Sequence, residues 1–497
     1  MRWPTRPNAA FAVLAGIAGV VGSFAVAGYT RRFVVAPIDA LVVRLSPGAI
    51  VAWLIQNVGE EAHLLHIGLS AVIATGLLAG AALVGQAVAR RGDYPFFGAG
   101  LAGVLGWGVT VLITGEPLLA VGAAVPVAVV TGLGTTVSSA PDHSPARRRV
   151  LRSGLGVLGF VGLSVGVDRF SGGTDGDETA GTDAGIEGAT ASAEVTQRLQ
   201  QAESQSLDFA SDDLPGLVSP IKDFYGVDIN EFDPEVPSDD WSMTLTGEVE
   251  SDVTVTFAEL TDRPTEHRYV TLRCVGEPLN GKLLDNAVWT GTPLKPLLEA
   301  ADPNGECGCA MLRAEDDYFV QFPVDALEDA FLAWGMNGQP LPKSHGHPVR
   351  VLVPGHWGET NVKWLSEIEL LDEEVDGYWE RRGWHGTGPV STVAKLWDTT
   401  ALEDGRLELG GHAYAGTRGI DRVEVSTDGG DTWNDAELSE PLPGDDVWRQ
   451  WRYLFEPNGA HDAVVRAVDG EGAMQVEEAS DPYPSGATGW VRETVER

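Results

Sequence analysis

The first 170 residues are dominated by long apolar runs with few charged interruptions. Runs of spanning length lie at 9–28, 62–89, 96–114, 117–138 and 150–168. A helix needs about 20 mostly apolar residues to cross the hydrocarbon core of a bilayer. The pattern therefore predicts an α-helical membrane region of five spans over residues 1–170.

Arginine clusters between these runs predict the orientation of the membrane region. The clusters are Arg2 with Arg6, Arg90 with Arg91, and Arg147 to Arg149 with Arg152. With all three in the cytoplasm, five spans place the chain after residue 171 outside the cell membrane. Three arginines fall on the opposite side, namely Arg31, Arg32 and Arg44.

The third arginine cluster has a second interpretation. It precedes a Gly-rich apolar stretch and so resembles a twin-arginine export signal, a route that carries folded proteins. The alternative is an ordinary cytoplasmic basic cluster. Both interpretations predict an extracytoplasmic location for the rest of the chain.

Beyond the membrane region the pattern changes twice. Residues 171–210 are rich in Gly, Ser, Thr, Ala and acidic residues, which predicts a flexible linker closed by helix-like residues near 195–201. Over 211–388, alternating strand patterns and short helices predict a mixed α+β domain. Over 389–497, alternating Leu and Val positions and the turn at Asp428 predict a β-sandwich.

Charge is distributed unevenly along the 497 residues, whose formal net charge is −37. Residues 1–170 carry 12 basic against 7 acidic side chains, and the remainder carries 22 against 64. Such an acidic surface repels nucleic acid, so no nucleic-acid partner is expected. Only 6 of the 34 basic residues are lysine. This composition resembles that of salt-loving archaea, and we expect a halophilic protein.

Cys274 stands where a β-prone run ends and Gly276 begins a turn. A lone cysteine is more often a buried core residue than a reactive one. Two later blocks favour function, His345-Gly-His-Pro-Val-Arg350-Val-Leu-Val-Pro-Gly and Gly358-Glu-Thr-Asn-Val-Lys363-Trp-Leu. In order and spacing, these blocks and Cys274 resemble the molybdopterin-binding domain of the sulfite oxidase family.

The resemblance implies a set of site residues. Cys274 would be the only protein ligand of a molybdenum ion, and a soft thiolate suits such a metal. The expected cofactor-binding residues are Tyr225, Cys274, Asp316, His345, Arg350, Asn361, Val362 and Lys363. Arg350 offers a planar fork and Lys363 a point charge to the terminal phosphate of the cofactor. The alternatives are a core aromatic for Tyr225 and a turn histidine for His345.

The C-terminal residues resemble a second domain of the same family. Thr427 to Trp433 and Val447 to Trp451 are similar to its immunoglobulin-like dimerisation domain. The resemblance implies a homodimer through residues 389–497. It also implies that Arg418 or Arg449 reaches the active site, and we expect a catalytic role for Arg449, with a solvated surface role as the alternative.

Departures from the sulfite oxidase pattern bear on the substrate. Trp384 stands where sulfite oxidases keep a catalytic tyrosine, and arginines are missing beside Tyr225 and after Cys274. An indole donates one hydrogen bond but carries no proton at ordinary pH. We therefore expect Trp384 in the active site and a substrate other than sulfite.

The remaining histidines and cysteines predict little further chemistry. Within the spans the histidines are His63 and His66, both in the second run, and a haem held across a bundle needs histidines from two helices. No haem is therefore expected. Cys307 and Cys309 are interpreted as structural, because a Cys-Gly-Cys spacing is awkward for a disulfide.

These observations predict a membrane-anchored, extracytoplasmic molybdopterin oxidoreductase that performs two-electron oxygen-atom transfer on a small molecule. The electron partner is not predicted, and membrane lipid surrounds the helices. The first alternative is a reductase of sulfoxides, of the kind that acts on protein methionine sulfoxide. The second alternative is a membrane-anchored binding module that has lost the metal.

Overall fold

The computed structural model describes residues 6–47, 62–92, 94–139, 192–211 and 213–496, with a few positions between 50 and 58. Two compact units can be separated. One unit holds the N-terminal helices and the segment 228–233. The other holds the described residues 192–227 and 234–496.

The first unit is helical. Its helices are α1 (Arg6–Ala27), α2 (Ala36–Leu45), α3 (Ala62–Gly92), α4 (Pro95–Thr114) and α5 (Val121–Ser139). Helix α1 packs against α3 and α5 through small residues. A side chain at Gly22 would collide with the carbonyl oxygen of Gly122, so the two backbones approach as closely as membrane helices with small residues do.

The number of spanning helices differs from the prediction. Ala9–Ala27, His63–Arg91 and Phe96–Thr114 are long and apolar enough to cross a membrane. The fourth predicted run forms a shorter apolar helix, Val121–Thr136. The fifth run and the arginine cluster before it lie outside the described residues. Three of the five predicted spans are therefore supported.

In the second unit, the predicted linker ends in a folded helix. Helix α6 (Ala193–Gln205) is capped by the Ser192 side chain and buries Val195 and Ala202. The helix-like residues that the sequence indicates near 195–201 lie within this helix. The side chains of α6 that face the domain are apolar, and their burial stabilises the helix.

The α+β domain contains two sheets. Its strands are β1 (Ser242–Gly247), β2 (Val253–Thr256), β3 (Glu266–Arg273), β4 (Leu284–Pro293), β5 (Cys309–Ala314), β6 (Phe319–Pro323), β7 (Phe331–Met336), β8 (Gln339–Pro340), β9 (Arg350–Leu352) and β10 (Leu365–Leu371). Two short helices complete it, α7 (Phe257–Thr261) and α8 (Lys295–Ala301). One sheet has the order β2-β1-β10-β5-β6, and the other has β3-β4-β7-β8 with β9 on β7.

The C-terminal domain is built from two four-stranded antiparallel sheets. Its strands are β11 (Val393–Ala401), β12 (Leu407–Tyr414), β13 (Ile420–Ser426), β14 (Asn434–Asp435), β15 (Glu437–Leu438), β16 (Arg449–Phe455), β17 (His461–Asp469) and β18 (Val491–Val495). The sheets are β11-β12-β16-β15 and β14-β13-β17-β18. Both contribute to one apolar core, which includes Leu409 from the first and Val425 from the second. This is the predicted two-sheet β domain, and its immunoglobulin-like class stays a prediction.

Strand β3 carries the site at its end and packs on both faces. Val270 and Leu272 enter the core of the α+β domain. Thr271 and Arg273 point the other way, toward the C-terminal domain, where Arg273 donates to the carbonyl oxygens of Ser391 and Ala487. Cys274 directly follows, at the point where the two domains meet.

The two remaining cysteines correct an expectation. Cys307 and Cys309 form a disulfide at the start of β5. A spacing of two residues did not suggest one, because the backbone must turn sharply between the sulfurs. Gly308 makes that turn possible with a positive φ of 59°.

Candidate active site around Cys274

Cys274 is a free, half-buried cysteine at the carboxyl end of β3. Its backbone N–H donates to the carbonyl oxygen of Leu283, 3.0 Å away, which closes the loop between β3 and β4. The pKa of the thiol is raised to about 12, mainly by burial and also by the charges of Glu277 and Glu359. The Gly276 N–H and the Lys395 charge act in the opposite direction. Without a bound cation, the thiol is therefore protonated.

Tyr225 lies close to Cys274. Its backbone N–H donates to Asp285 Oδ2 at 2.8 Å, and a Cβ built on Gly358 would lie 2.6 Å from its hydroxyl oxygen. Burial raises the pKa of Tyr225 well above its usual value, and the Cys274 charge adds to that increase. The Arg350 guanidinium opposes it. Cys274 and Arg350 therefore both act on the pKa of Tyr225, in opposite directions.

His345, Arg350 and Lys363 form a cationic group. Arg350 donates to the carbonyl oxygens of His345 at 3.2 Å and of Asn361 at 2.7 Å, and Lys363 Nζ donates to that of Ser344 at 2.9 Å. Burial lowers the pKa of His345 to about 4, and the charges of Arg350 and Lys363 lower it further. His345 is therefore a neutral imidazole beside two permanent cations.

Other predicted residues hold this group in place. Asn361 Oδ1 accepts from the Val353 N–H at 2.8 Å, and its amide nitrogen donates to the Trp357 carbonyl oxygen. The carbonyl oxygen of buried Val362 accepts from the Val351 N–H at 3.0 Å. Asn361 and Val362 thus tie the 358–363 turn to β9, which carries Arg350.

Asp316 lies in the turn between β5 and β6. It is 4% exposed, and its Oδ1 accepts from the Tyr318 N–H at 3.0 Å. Its charge raises the pKa of Tyr318, although burial is the largest cause of that increase. The Tyr318 hydroxyl in turn donates to the carbonyl oxygen of Glu359 at 2.8 Å. Asp316 is thereby linked to the Glu359 turn.

Trp384 is 2% exposed, and its indole Nε1–H is buried with no hydrogen-bond partner in the structure. Its ring packs edge-on against Tyr483, with centroids 5.2 Å apart, and belongs to one apolar cluster with Val275. A buried donor without a partner is uncommon in proteins. The indole N–H of Trp384 is therefore a hydrogen-bond donor in the same apolar cluster as Val275, which directly follows Cys274.

Two carboxyl groups in this region were not anticipated from sequence. Both carboxyl oxygens of Glu359 are buried without a hydrogen-bond partner among the described residues, and the buried carboxyl group of Glu380 interacts with the backbone of Gly377. A Cβ built on Gly386 would lie 2.7 Å from Glu359 and 2.5 Å from Val275. Burial raises the pKa of Glu359 to about 8, with Glu380 adding to the increase, and burial also raises that of Glu380. We call Glu359 and Glu380 the carboxyl pair.

Five arginines are candidates to pair with an anionic substrate near Cys274, and each has another partner. Arg273 pairs with Glu277 at 2.8 Å, and Arg418 pairs with Asp469 at 3.0 Å. Arg381 donates to the Asp376 carbonyl oxygen, and Arg382 to that of Tyr378. Arg449 donates through two nitrogens to the Ser439 carbonyl oxygen. The catalytic role expected for Arg449 stays a prediction.

Comparisons with known proteins match both domains of the second unit. Residues 230–379 match the family model described as oxidoreductase molybdopterin binding domain, and residues 390–480 match that of the Mo-co oxidoreductase dimerisation domain. Mitochondrial sulfite oxidase of Rattus norvegicus is 37% identical over 153 residues, which are 26% of this chain and 28% of that protein. The chain thus spans well under half the length of this relative.

Longer matches have lower identity. Sulfite oxidase of Arabidopsis thaliana is 25% identical over 303 residues, covering 48% of this chain and 77% of that protein. Among solved structures, the sulfane dehydrogenase SoxCD of Paracoccus pantotrophus superposes with a TM-score of 0.50 at 20% identity. That match covers 57% of this chain and 82% of the other, and it supports the shared fold.

Proposed function

Over residues 230–480 the chain belongs to the sulfite oxidase family of molybdopterin oxidoreductases, and on that premise we propose that it is a membrane-anchored enzyme transferring one oxygen atom and two electrons at a Cys274-ligated molybdenum. In the oxidative direction, a substrate X and water give XO, two protons and two electrons. The observation that carries the proposal is a free cysteine at the end of β3, with Cys274 and Arg350 both acting on Tyr225, in the domain that the family model matches.

The described residues fit the cofactor. His345, Arg350 and Lys363 would hold its phosphate, because Arg and Lys donate strong charge-assisted hydrogen bonds to anions. Buried Trp364 and Trp384 each retain an indole N–H with no partner, as a pocket for a polar group requires. When bound, the cofactor supplies the two-electron chemistry and the oxygen-atom exchange.

The chain's own residues would bind the cofactor and orient it and the substrate. Cys274 would supply one thiolate, kept deprotonated by the cation it ligates. Tyr225, fixed through its N–H to Asp285, would contact the pterin. Trp384 would donate one hydrogen bond to substrate or cofactor, and its surrounding aromatic cluster excludes water. Asp316 would accept from a pterin amine.

For the substrate, we propose a neutral or weakly charged oxygen donor or acceptor in preference to sulfite. A buried anion needs fixed cations close by. All five candidate arginines have other partners, and Glu359 and Glu380 lie in the same region. These observations also favour the second candidate function, reduction of a sulfoxide, which is the same oxygen transfer in reverse.

Metal analysis of the purified full chain is the direct test. We expect about one molybdenum per chain, and a protein that never contains molybdenum would be the binding module instead. In Cys274→Ala, turnover should be abolished while pterin is retained, because the cationic group lies elsewhere. The double variant Cys307→Ser, Cys309→Ser is the control, because it removes the other two cysteine sulfurs and keeps Cys274. Full activity in Cys274→Ala would contradict the ligand assignment.

The location of the enzyme is proposed from the helices and the arginine clusters. Three helices are long enough to span a membrane, and the positive-inside pattern of the arginine clusters supports an extracytoplasmic position for the catalytic part. Protease added to intact cells should cut before Ser192, where the folded helix α6 begins, and release a fragment. Protection of the chain until lysis would contradict this orientation. The dimerisation-domain match further supports a homodimer, which sedimentation in detergent can test.

A further inference from the structure

Three fully buried charged side chains meet directly behind Cys274. The exposed fractions of the Arg273, Glu277 and Lys395 side chains are 0%, 0% and 1%. Arg273 Nε lies 2.8 Å from Glu277 Oε1, and Lys395 Nζ lies 2.5 Å and 2.6 Å from the two oxygens of Glu277. We call these residues the buried ion triad. None of them entered the family resemblance.

The triad closes the loop that carries Cys274. Glu277 Oε2 accepts from the Leu283 N–H at 2.9 Å, and the Leu283 carbonyl oxygen accepts from the Cys274 N–H. Lys395 Nζ also donates to the Gly281 carbonyl oxygen at 2.7 Å. Glu277 and Lys395 therefore hold the loop from Cys274 to Leu283 from inside.

The C-terminal domain supplies this attachment. Lys395 lies on β11, the first strand of that domain. Its neighbour Leu396 exchanges two hydrogen bonds with the Asn280 side chain, at 2.9 Å and 3.0 Å. The loop around the proposed metal ligand is thus fastened to a strand that begins more than 100 residues later in the sequence.

The triad also carries a net charge close to Cys274. Two cations and one anion leave one net positive charge in a region without solvent. The Lys395 charge acts on Cys274, and the Cys274 charge acts on Lys395, so the two groups are electrostatically coupled. Burying three ions is costly unless they are paired and hydrogen-bonded, and replacement by apolar residues is often neutral for stability. Stability alone therefore does not explain the triad.

We propose that Lys395 is a positioning residue that the C-terminal domain supplies to the active site. It holds the Cys274–Leu283 loop through Glu277 and Gly281, and it keeps a net positive charge behind the Cys274 sulfur. This rests on the proposed molybdenum site. A fixed positive charge stabilises the reduced, more negative state of a centre bound to that sulfur, so it raises the reduction potential.

Two variants of the full chain separate the attachment of the Cys274–Leu283 loop from the positive charge behind the Cys274 sulfur. Lys395→Met removes both, leaving Arg273 and Glu277 with no net charge. Glu277→Gln combined with Lys395→Met removes the fastening but restores one positive charge on Arg273, which keeps its bonds to Ser391 and Ala487. Lys395→Arg tests rescue by another cation. Lys282→Met is the matched control, since Lys282 is an exposed lysine of the same loop.

Two measurements read the outcome. Amide hydrogen exchange at Cys274 and Leu283 should accelerate about tenfold or more in Lys395→Met and in the double variant, because hydrogen bonds to charged groups are lost. The molybdenum midpoint potential, from redox titration followed by electron paramagnetic resonance, should fall in Lys395→Met. It should return toward the parent value in the double variant and in Lys395→Arg, and Lys282→Met should change neither quantity.

The two proposals fail in different ways. A parent chain without molybdenum would refute the proposed function, while exchange at Cys274 and Leu283 still tests the fastening. A metal-loaded Lys395→Met with parent exchange and parent potential would overturn the role of Lys395. A variant that loses molybdenum while the exchange accelerates would support the fastening, and the double variant then decides the role of charge.

Discussion

The cationic group and the carboxyl pair lie in the same domain but are held in opposite ways. Arg350 donates to the carbonyl oxygens of His345 and Asn361, and Lys363 donates to that of Ser344. The carboxyl oxygens of Glu359 and Glu380 are buried, and those of Glu359 have no hydrogen-bond partner among the described residues. A hydrogen-bonded cation keeps its charge, whereas a buried carboxyl group becomes neutral instead of remaining an unpaired anion. The comparison suggests a charged cofactor end and a substrate end that is neutral at ordinary pH.

Removal of the cationic group should have the largest effect. The double variant Arg350→Ala, Lys363→Ala loses charge-assisted contacts worth about 1.5–3 kcal/mol each. Cofactor affinity should therefore fall by roughly two to four powers of ten if the contacts are independent. Pterin content after purification measures this. Lys343→Ala is the control, an exposed lysine of the same segment that pairs with Glu235, and an unchanged pterin content in the double variant would exclude these residues as the phosphate site.

Substrate choice tests the carboxyl pair. With artificial electron carriers at matched high salt, sulfite should have a kcat/KM below about 10⁴ M⁻¹s⁻¹, the low end for ordinary enzymes, and a neutral sulfoxide should exceed it. Efficient sulfite turnover would contradict the argument from the engaged arginines.

The pH dependence sharpens this test. The pKa of Glu359 is about 8, so its negative charge develops as the pH rises through that value. Turnover of any anionic substrate should then decline by about tenfold, the effect of an interaction worth one pKa unit. The decline should be absent in Glu359→Gln and present in Glu306→Gln, which changes an exposed acidic residue. A decline that persists in Glu359→Gln would assign it to another group.

Stability should show the smallest change. Because the folded-state pKa of Glu359 is raised from 4.5 to about 8, the folded state binds the additional proton between these values. The protein therefore loses stability as the pH rises from about 4.5 to 8. Glu359→Gln removes this loss and should be the more stable protein at pH 8. Thermal midpoints at pH 5 and pH 8 measure the difference, which should shrink at pH 5.

Much of the cofactor side was predictable because it is encoded locally. His345, Arg350, Asn361 and Lys363 fall within 19 consecutive residues, and turn-forming Gly and Pro residues separate them. Their hydrogen bonds join neighbouring turns, so a motif in the sequence remains a group in space. The two-sheet β domain was predictable for a similar reason, since alternation along each strand records its buried face.

The rest depends on contacts between distant segments. Glu359 is isolated from water by Tyr318, Val275 and the Gly386 turn, which no local pattern connects. In the sequence, Lys395 looks like an ordinary lysine of a strand. Only the fold shows that β11 brings it to the Cys274 loop. The sequence likewise could not show that Arg449 bonds to the Ser439 carbonyl oxygen, and the catalytic role expected for Arg449 stays a prediction.

Helix α6 has a mechanical consequence for a tethered enzyme. Its buried Val195 and Ala202 pack on the α+β domain, and the Tyr269 hydroxyl donates to the Arg198 carbonyl oxygen at 2.5 Å. Immediately afterwards, the N–H groups of Leu207 and Ala210 donate to side chains of the C-terminal domain. A pull along the chain at Ser192 would therefore load both domains through helix α6, and it would reach β3, the strand that ends at Arg273, through the Tyr269 contact.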